Sequence, residues 1–228
     1  MHATKMTTRS VEAAAPRPHD GYKREFLDRI LGLRPQSVLD VGCGEGALLR
    51  SLAEAGCPRR LGLEPDEAVV ALAVSAGLDV RAGRAERLPF ADRSFDLVIL
   101  DYVAHHVENL PQTLLEAARV ADRAVLILDC WYDETLPTQQ VAQAYDAWSK
   151  RIDRRSGMVH NPCPSAMDLA APFLALGGFD IDIAHHLRLQ PVAVETLEAK
   201  AQAHLTRFPG AADRRTWRPF WTGAAGTA

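Results

Sequence analysis

The chain has 228 residues, 47% of them apolar, and a formal net charge of −3. That is enough to bury one large core and too little positive charge for general nucleic-acid binding. No apolar run approaches membrane-spanning length and the N-terminus lacks a signal-peptide core, so no membrane partner is expected. Cys43, Cys57, Cys130 and Cys163 include no C-x-x-C pair. They suggest neither a disulfide frame nor a zinc site and point to a reduced, cytoplasmic setting, with no metal expected.

Residues 1–18 are rich in Ala, Thr, Pro and Arg without a period and read as a disordered tail, leaving 19–228 as a single domain. Asp20 can cap a helix through Leu31 that carries Tyr22, Phe26 and Ile30 on one face; Gly32 and Pro35 stop it. Val38–Val41 is a short buried strand opening into the turn Gly42-Cys43-Gly44-Glu45-Gly46, with a helix over about 45–54. A strand at 60–64 is followed by Pro65 and a helix over about 66–75; a third strand spans 78–82. After a loop with Leu88, Pro89 and Phe90 comes a strand at 96–100, apolar in its centre and so buried on both faces. A helix led by proline at 111–120 and a strand at 124–129 follow. Five strands alternating with helices on short connections predict an α/β fold with a doubly wound, parallel sheet. After Cys130 the rhythm breaks. Residues 131–165, polar, aromatic and helical around 141–152, read as a lid or substrate segment inserted after strand five. A helix at 166–176, a strand at 179–187 and a helix at 192–205 complete the chain, with 217–222 a candidate final strand that Pro219 restricts to an edge.

The glycines at 42, 44 and 46 permit a sharp turn and close approach of a ligand to the backbone. Glu64, at the carboxyl end of the second strand and about twenty residues further on, has the spacing of an acid that accepts from ribose hydroxyls. Gly42-x-Gly44-x-x-Ala47 also fits dinucleotide binding. Asp40 speaks against that, because an acid beside the turn repels a diphosphate and attracts an amino group. After strand three, Arg84-Ala85-Glu86-Arg87-Leu88 offers an acid for an exocyclic amine and an apolar side chain to cover a flat ring. Asp101 and Tyr102 emerge over the turn, with His105 and His106 on the following loop. Tyr22 is either a packing residue or a cofactor contact. Cys43 reads as a small packed residue rather than a nucleophile. Aromatics and arginines at Trp131, Tyr132, Tyr145, Trp148, Arg151, Arg154 and Arg155, with His160, suit a flat anionic molecule, although a solvated helix face explains at least two of the arginines.

The segments VLDVGCGEG, LGLEPDE, AERLPFADRSFDLVILDYVAHHVEN and AVLILD, in that order, resemble the class I S-adenosylmethionine-dependent methyltransferases. The likeness is to the small ubiquinone/menaquinone-biosynthesis subgroup and covers residues 20–130. It implies seven strands, one antiparallel, with S-adenosylmethionine across their carboxyl ends. It implies Asp40, Gly42, Cys43 and Gly44 near the methionine part, Glu64 on the ribose, and Pro65 beside the adenine. Ala85, Glu86 and Leu88 would meet the adenine, and Asp101, Tyr102 and His106 the methionine end. Arg84 departs from the pattern, since many relatives carry an aspartate there. From Trp131 onward the likeness is architectural only. The reading is methyl transfer to an oxygen or nitrogen of a small molecule, a specialised metabolite or a quinone-like ring. His105 and His106 are the candidate bases, and a homodimer is allowed. Rival readings are an NAD-dependent oxidoreductase, a cofactor-binding protein without methyl transfer, and a peptide or protein N-methyltransferase.

Overall fold

In this computed structural model the residues described are 5–11, 21–186 and 194–207. The chain order is β1 (Lys5–Val11), α1 (Gly21–Gly32), β2 (Ser37–Val41), α2 (Ala47–Glu54), β3 (Arg59–Glu64), α3 (Glu67–Ser75), β4 (Val80–Ala82) and β5 (Phe95–Asp101). A short 3₁₀ turn (Ala104–His106), α4 (Leu110–Val120), β6 (Ala121–Leu128), α5 (Pro137–Arg155), α6 (Ala166–Leu176), β7 (Asp180–His186) and α7 (Val194–Arg207) follow. Five strands form one parallel sheet in the order β4-β3-β2-β5-β6. The order reverses between β2 and β5, which opens a crevice at the carboxyl ends of those strands.

The period of two in the central strands divides the core. Leu39, Val41, Val98 and Leu100 pack on Leu114 and Ala117 of α4 and Phe173 of α6. Val38, Leu97 and Ile99 face the other way, onto Phe26 and Ile30 of α1 and Leu52 of α2. By the same alternation Asp40 and Asp101 belong with the α1 face. Within the described residues the expected helices and strands form, with ends shifted by a few residues.

Four expectations need correction. The first is the disordered tail: Lys5–Val11 is a strand, paired in parallel with β7 from Lys5↔Asp180 to Val11↔His186. A strand that borrows its partner from the far end of the chain leaves no local period to read. The second is the seven-stranded sheet with one antiparallel member. Among the described residues every pairing is parallel, and β1 and β7 form a separate two-stranded sheet. A groove of about 720 Å³ runs between β6 and β7, lined by Val125, Ile127, Phe173, Phe179 and Ile181 among others. The candidate strand at 217–222 lies outside the described residues. The third is the aromatic lid. Trp148 is 1% exposed and packs with Ile152 and Tyr145 against Ala201 and Leu205 of α7, so it builds a small core rather than presenting a ring to a ligand. Arg154 and Arg155 are exposed, as a solvated face requires.

The fourth concerns cysteine. Cys130, just past β6, and Cys163, just before α6, form a disulfide with Cα atoms 5.7 Å apart. Their 33-residue separation carries no motif; folding of α5 back over the end of β6 brings them together. Lys150, 1% exposed, pairs with Asp146 at 2.9 Å and reaches Cys163 Sγ at 3.0 Å. A bridge closing a loop of this length stabilises by about 3–4 kcal/mol through the entropy of the unfolded chain. The Cys130→Ser/Cys163→Ser protein is therefore expected to unfold at markedly lower urea concentration than the oxidised chain. The reduced wild-type chain should match the double variant; equal midpoints for all three would refute the account.

Candidate functional site

The crevice is built on the bend after β2. Gly42 has φ 67°, and its N–H and that of Cys43 both donate to the Leu63 carbonyl, at 2.7 and 3.1 Å. A Cβ at Gly42 would sit 2.6 Å from Val103 Cγ2, so this glycine is required for packing as well as for its dihedral. Gly44 differs. It too has positive φ, 53°, but a Cβ there would meet nothing within 4 Å. Its backbone borders open space, and its N–H donates to Glu64 Oε2 at 3.0 Å. The other oxygen of Glu64 accepts from Asp66 N at 3.2 Å, and Asp66 in turn caps α3. Glu64 thus ties the glycine bend to the loop after β3. Cys43 turns its sulfur away, over Gly62 of β3, where any side chain would collide with it. Burial, then Asp40 and Glu64, push the Cys43 thiol up to about 12, which removes it as a nucleophile.

Carboxylates converge from three strands. Asp40 is 2% exposed; burial first, then Asp101 and Glu64, push its pKa up to about 8 against a small opposing pull from Lys23. Asp101 is also raised, chiefly by burial, while Lys23 on α1 lies 3.6 Å from its Oδ2. Asp101 Oδ1 is buried without a hydrogen-bond partner. Tyr102 has φ 60°, an unusual conformation for an aromatic residue, held by donation from its N–H to the Leu128 carbonyl at 2.7 Å. Its ring meets Tyr22 edge-on at 6.4 Å and lies under the Lys23 ammonium at 5.4 Å. Tyr22 therefore borders the crevice. Lys23, one of four lysines in the chain, was passed over in the sequence reading; its place one residue after Tyr22 was the available signal.

Of the residues expected at the adenine, Pro65 is exposed and Ala85 and Glu86 are half-buried. Glu86 already accepts from Glu108 N at 2.8 Å and lies 3.6 Å from Arg84. Leu88 is 3% exposed and belongs to the core on the α4 side, not to a ring-covering surface. Its N–H donates to Glu116, and its carbonyl accepts from Arg119, which also holds the Phe90 carbonyl and Asp92. That anchorage turns the side chain inward.

At the other end of the crevice, His105 is buried and bonded through Nδ1 to Asp129 Oδ1 at 2.5 Å; His106 is exposed and meets the Val159 carbonyl at 3.0 Å. His160 reaches the same place from the loop after α5 and bonds Asp153 at 2.6 Å. Burial holds the pKa values of His106 and His160 below the ordinary imidazole value. In sequence Asp129 ends a strand and His160 lies in the segment 131–165, and no motif joins either to the histidine pair.

An acid-lined crevice, with a glycine bend on one side and a strand-end acid tying it, suits a cationic nucleoside. Such a crevice resembles the cofactor site of the class I S-adenosylmethionine-dependent methyltransferases. Residues 39–127 match the family described as Methyltransf_11, methyltransferase domain. Several of the chain's relatives are named for ubiquinone or menaquinone biosynthesis. The ubiquinone/menaquinone biosynthesis C-methyltransferase of Dinoroseobacter shibae is 29% identical over 150 residues, 62% of this chain and 60% of that protein. The ubiquinone biosynthesis O-methyltransferase of Agrobacterium fabrum is 31% identical over 117 residues, 49% of this chain and 45% of that protein. The chain spans 39% to 63% of the length of the first curated relatives it matches. In fold it is similar to the YcgJ protein of Bacillus subtilis, with a TM-score of 0.56 at 22% identity over 83% of this chain and 86% of that one. The cofactor of this class, S-adenosylmethionine, suits the residues present: open backbone at Gly44 and an unpartnered buried oxygen on Asp101. Among the described residues no helix is long and apolar enough to cross a membrane.

Proposed function

We propose that the protein transfers the methyl group of S-adenosylmethionine to an oxygen or nitrogen of a small-molecule acceptor bearing a hydroxyl or amine. The observation that carries the reading is the set of carboxylates at Asp40, Glu64 and Asp101, buried or half-buried around one bend, with Lys23 the opposing charge among the described residues. Such a crevice favours an ammonium and a sulfonium and disfavours the diphosphate of a pyridine nucleotide.

When bound, the cofactor supplies a methyl group already activated by positive sulfur. The work left to the chain is placement and exclusion of water. In this reading Glu64 accepts from the ribose hydroxyls while still holding Gly44. Asp40 and Asp101 take the ammonium, and Tyr22 and Tyr102 close the methionine end. Pro65, Ala85 and Glu86 border the adenine. His105 and His106 stand at the acceptor end, where a neutral imidazole can take a proton from a hydroxyl or ammonium. The names of the relatives, a C-methyltransferase and an O-methyltransferase of quinone biosynthesis, support a flat ring as acceptor, with 131–165 as the segment bordering it.

The test is calorimetry with S-adenosylhomocysteine and with NAD, followed by turnover on hydroxylated and aminated aromatic acceptors with product mass read directly. Binding of the first nucleoside alone and a gain of one methyl group on the acceptor are expected. NAD binding would overturn the reading; tight S-adenosylhomocysteine binding with no turnover on any acceptor would reduce the protein to a cofactor binder.

A further inference from the structure

We propose that His105, His106 and His160 form a three-histidine site for a divalent transition metal, Zn²⁺ in the first place, at the acceptor end of the crevice. One ring nitrogen of each lies within 4.8 Å of one from each of the others. Ring centroids are 4.3 Å apart for His105–His106 and for His106–His160, and 5.3 Å for His105–His160.

The hydrogen bonds behind the rings carry the argument. Each Nδ1 is engaged: His105 with Asp129 Oδ1 at 2.5 Å, His106 with the Val159 carbonyl at 3.0 Å, His160 with Asp153 Oδ2 at 2.6 Å. An Nδ1–H given to a carboxylate or carbonyl fixes the neutral tautomer whose lone pair is on Nε2, the form that ligates metals. Such partners behind the ring also orient it and raise its basicity. Here all three rings are furnished in the same way. The partners are themselves held. Asp129 Oδ1 also accepts from Cys130 N at 2.7 Å, and Asp153 Oδ1 lies 3.1 Å from His204 Nε2. The loop that delivers His160 is pinned by its neighbour, since Asn161 N donates to the His105 carbonyl at 2.7 Å and Asn161 Nδ2 to the Val107 carbonyl at 2.8 Å. The trio therefore does not depend on ring packing to stay together.

Three imidazoles without a thiolate suit Zn²⁺, and the same set accepts Co²⁺. Cys130, with Sγ 3.9 Å from His105 Nδ1, is tied to Cys163 and takes no part. At metal–nitrogen distances of about 2.0–2.1 Å, tetrahedral ligand nitrogens stand about 3.4 Å apart. Nitrogens that lie within 4.8 Å of one another have to close by at most about 1.4 Å to reach that spacing, and the exposed His106 is the ring with room to turn. Three protein ligands leave a fourth position open, which is the composition of a catalytic rather than a structural site. What fills that position rests on the proposed function: an acceptor oxygen, hydroxyl or carboxylate. A hydroxyl bound there would lose its proton to solvent and keep the electron pair on oxygen; with metal bound, this replaces the proton-accepting role given to His105 and His106 in the metal-free reading.

The experiment uses the untagged 228-residue chain, stripped with a chelator and titrated with Zn²⁺ alone by calorimetry and with Co²⁺ alone by visible absorption. The expected result is one Zn²⁺ per chain with Kd of about 1 μM or tighter, and intense Co²⁺ bands of a low-coordinate site. His160→Gln and His106→Gln should each weaken Zn²⁺ at least about 30-fold and abolish the Co²⁺ bands, since each removes one of three ligands. In the His160→Gln protein S-adenosylhomocysteine affinity should stay within about threefold. His185→Gln, outside the cluster, should leave metal binding unchanged. Absence of stoichiometric Zn²⁺, or unaltered binding in both cluster variants, would overturn the site. Should His160→Gln fail to fold, the exposed His106→Gln decides. The two readings separate on the same samples: S-adenosylhomocysteine binding without metal sinks only the metal site, and metal binding without S-adenosylhomocysteine sinks only the donor assignment.

Discussion

Glu64→Ala is expected to weaken S-adenosylhomocysteine binding about 100-fold or more, with little change in the unfolding midpoint. Two losses add in the proposed complex. The ribose hydroxyls lose a charged acceptor, at about 1.5–3 kcal/mol. The glycine bend also loses its tie, because Glu64 Oε2 holds Gly44 N at 3.0 Å and Oε1 holds Asp66 N at 3.2 Å. A bend that must be ordered at the moment of binding costs further affinity, and about 1.4 kcal/mol is a factor of ten. Glu64→Gln keeps one oxygen and should fall between the two. Calorimetry showing both variants within threefold of wild type would remove the ribose assignment and leave Glu64 as a loop tie only.

The affinity of the same ligand should rise steeply with pH, by up to about tenfold per unit from pH 5 toward 8, and then level off. In the empty protein Asp40 is pushed up to about 8, by burial first and then by Asp101 and Glu64, with Lys23 pulling the other way. At pH 7 it is therefore mostly protonated. An ammonium placed beside it favours the carboxylate, so binding expels a proton, and raising the pH helps. Asp40→Asn should flatten the profile and lower affinity at pH 8 about 10- to 100-fold. The sign for stability is opposite. The empty fold keeps a proton that the unfolded chain releases from its ordinary value of 3.8 upward. The protein is therefore expected to lose stability between about pH 4 and 8, and Asp40→Asn should not show that loss. A wild-type affinity independent of pH over this range would mean that the ammonium lies elsewhere.

Local pattern made the cofactor half legible. Gly42, Gly44 and Glu64 announce a bend and an acid at fixed spacing because both sit where parallel strands end, and strand ends are set by short-range periodicity. Asp40 was recognisable as odd because an acid beside that bend repels a diphosphate and attracts an amino group. Leu88 was misread because a leucine after a loop looks the same whether it faces a ring or a core. Only the anchorage of its backbone to Glu116 and Arg119 turned it inward.

What the amino-acid order determined by itself was the alternation of strand and helix, the parallel sheet, and the glycine bend proposed to take a nucleoside cofactor. These depend on contacts within a few turns of chain. The tertiary structure alone decided that Lys5–Val11 pairs with β7, that Cys130 meets Cys163, that Lys23 faces Asp101, and that His160 joins His105 and His106. Each joins residues far apart in sequence, and such a meeting leaves no period to read. It is set by where long helices such as α5 return the chain, which depends on packing over the whole core.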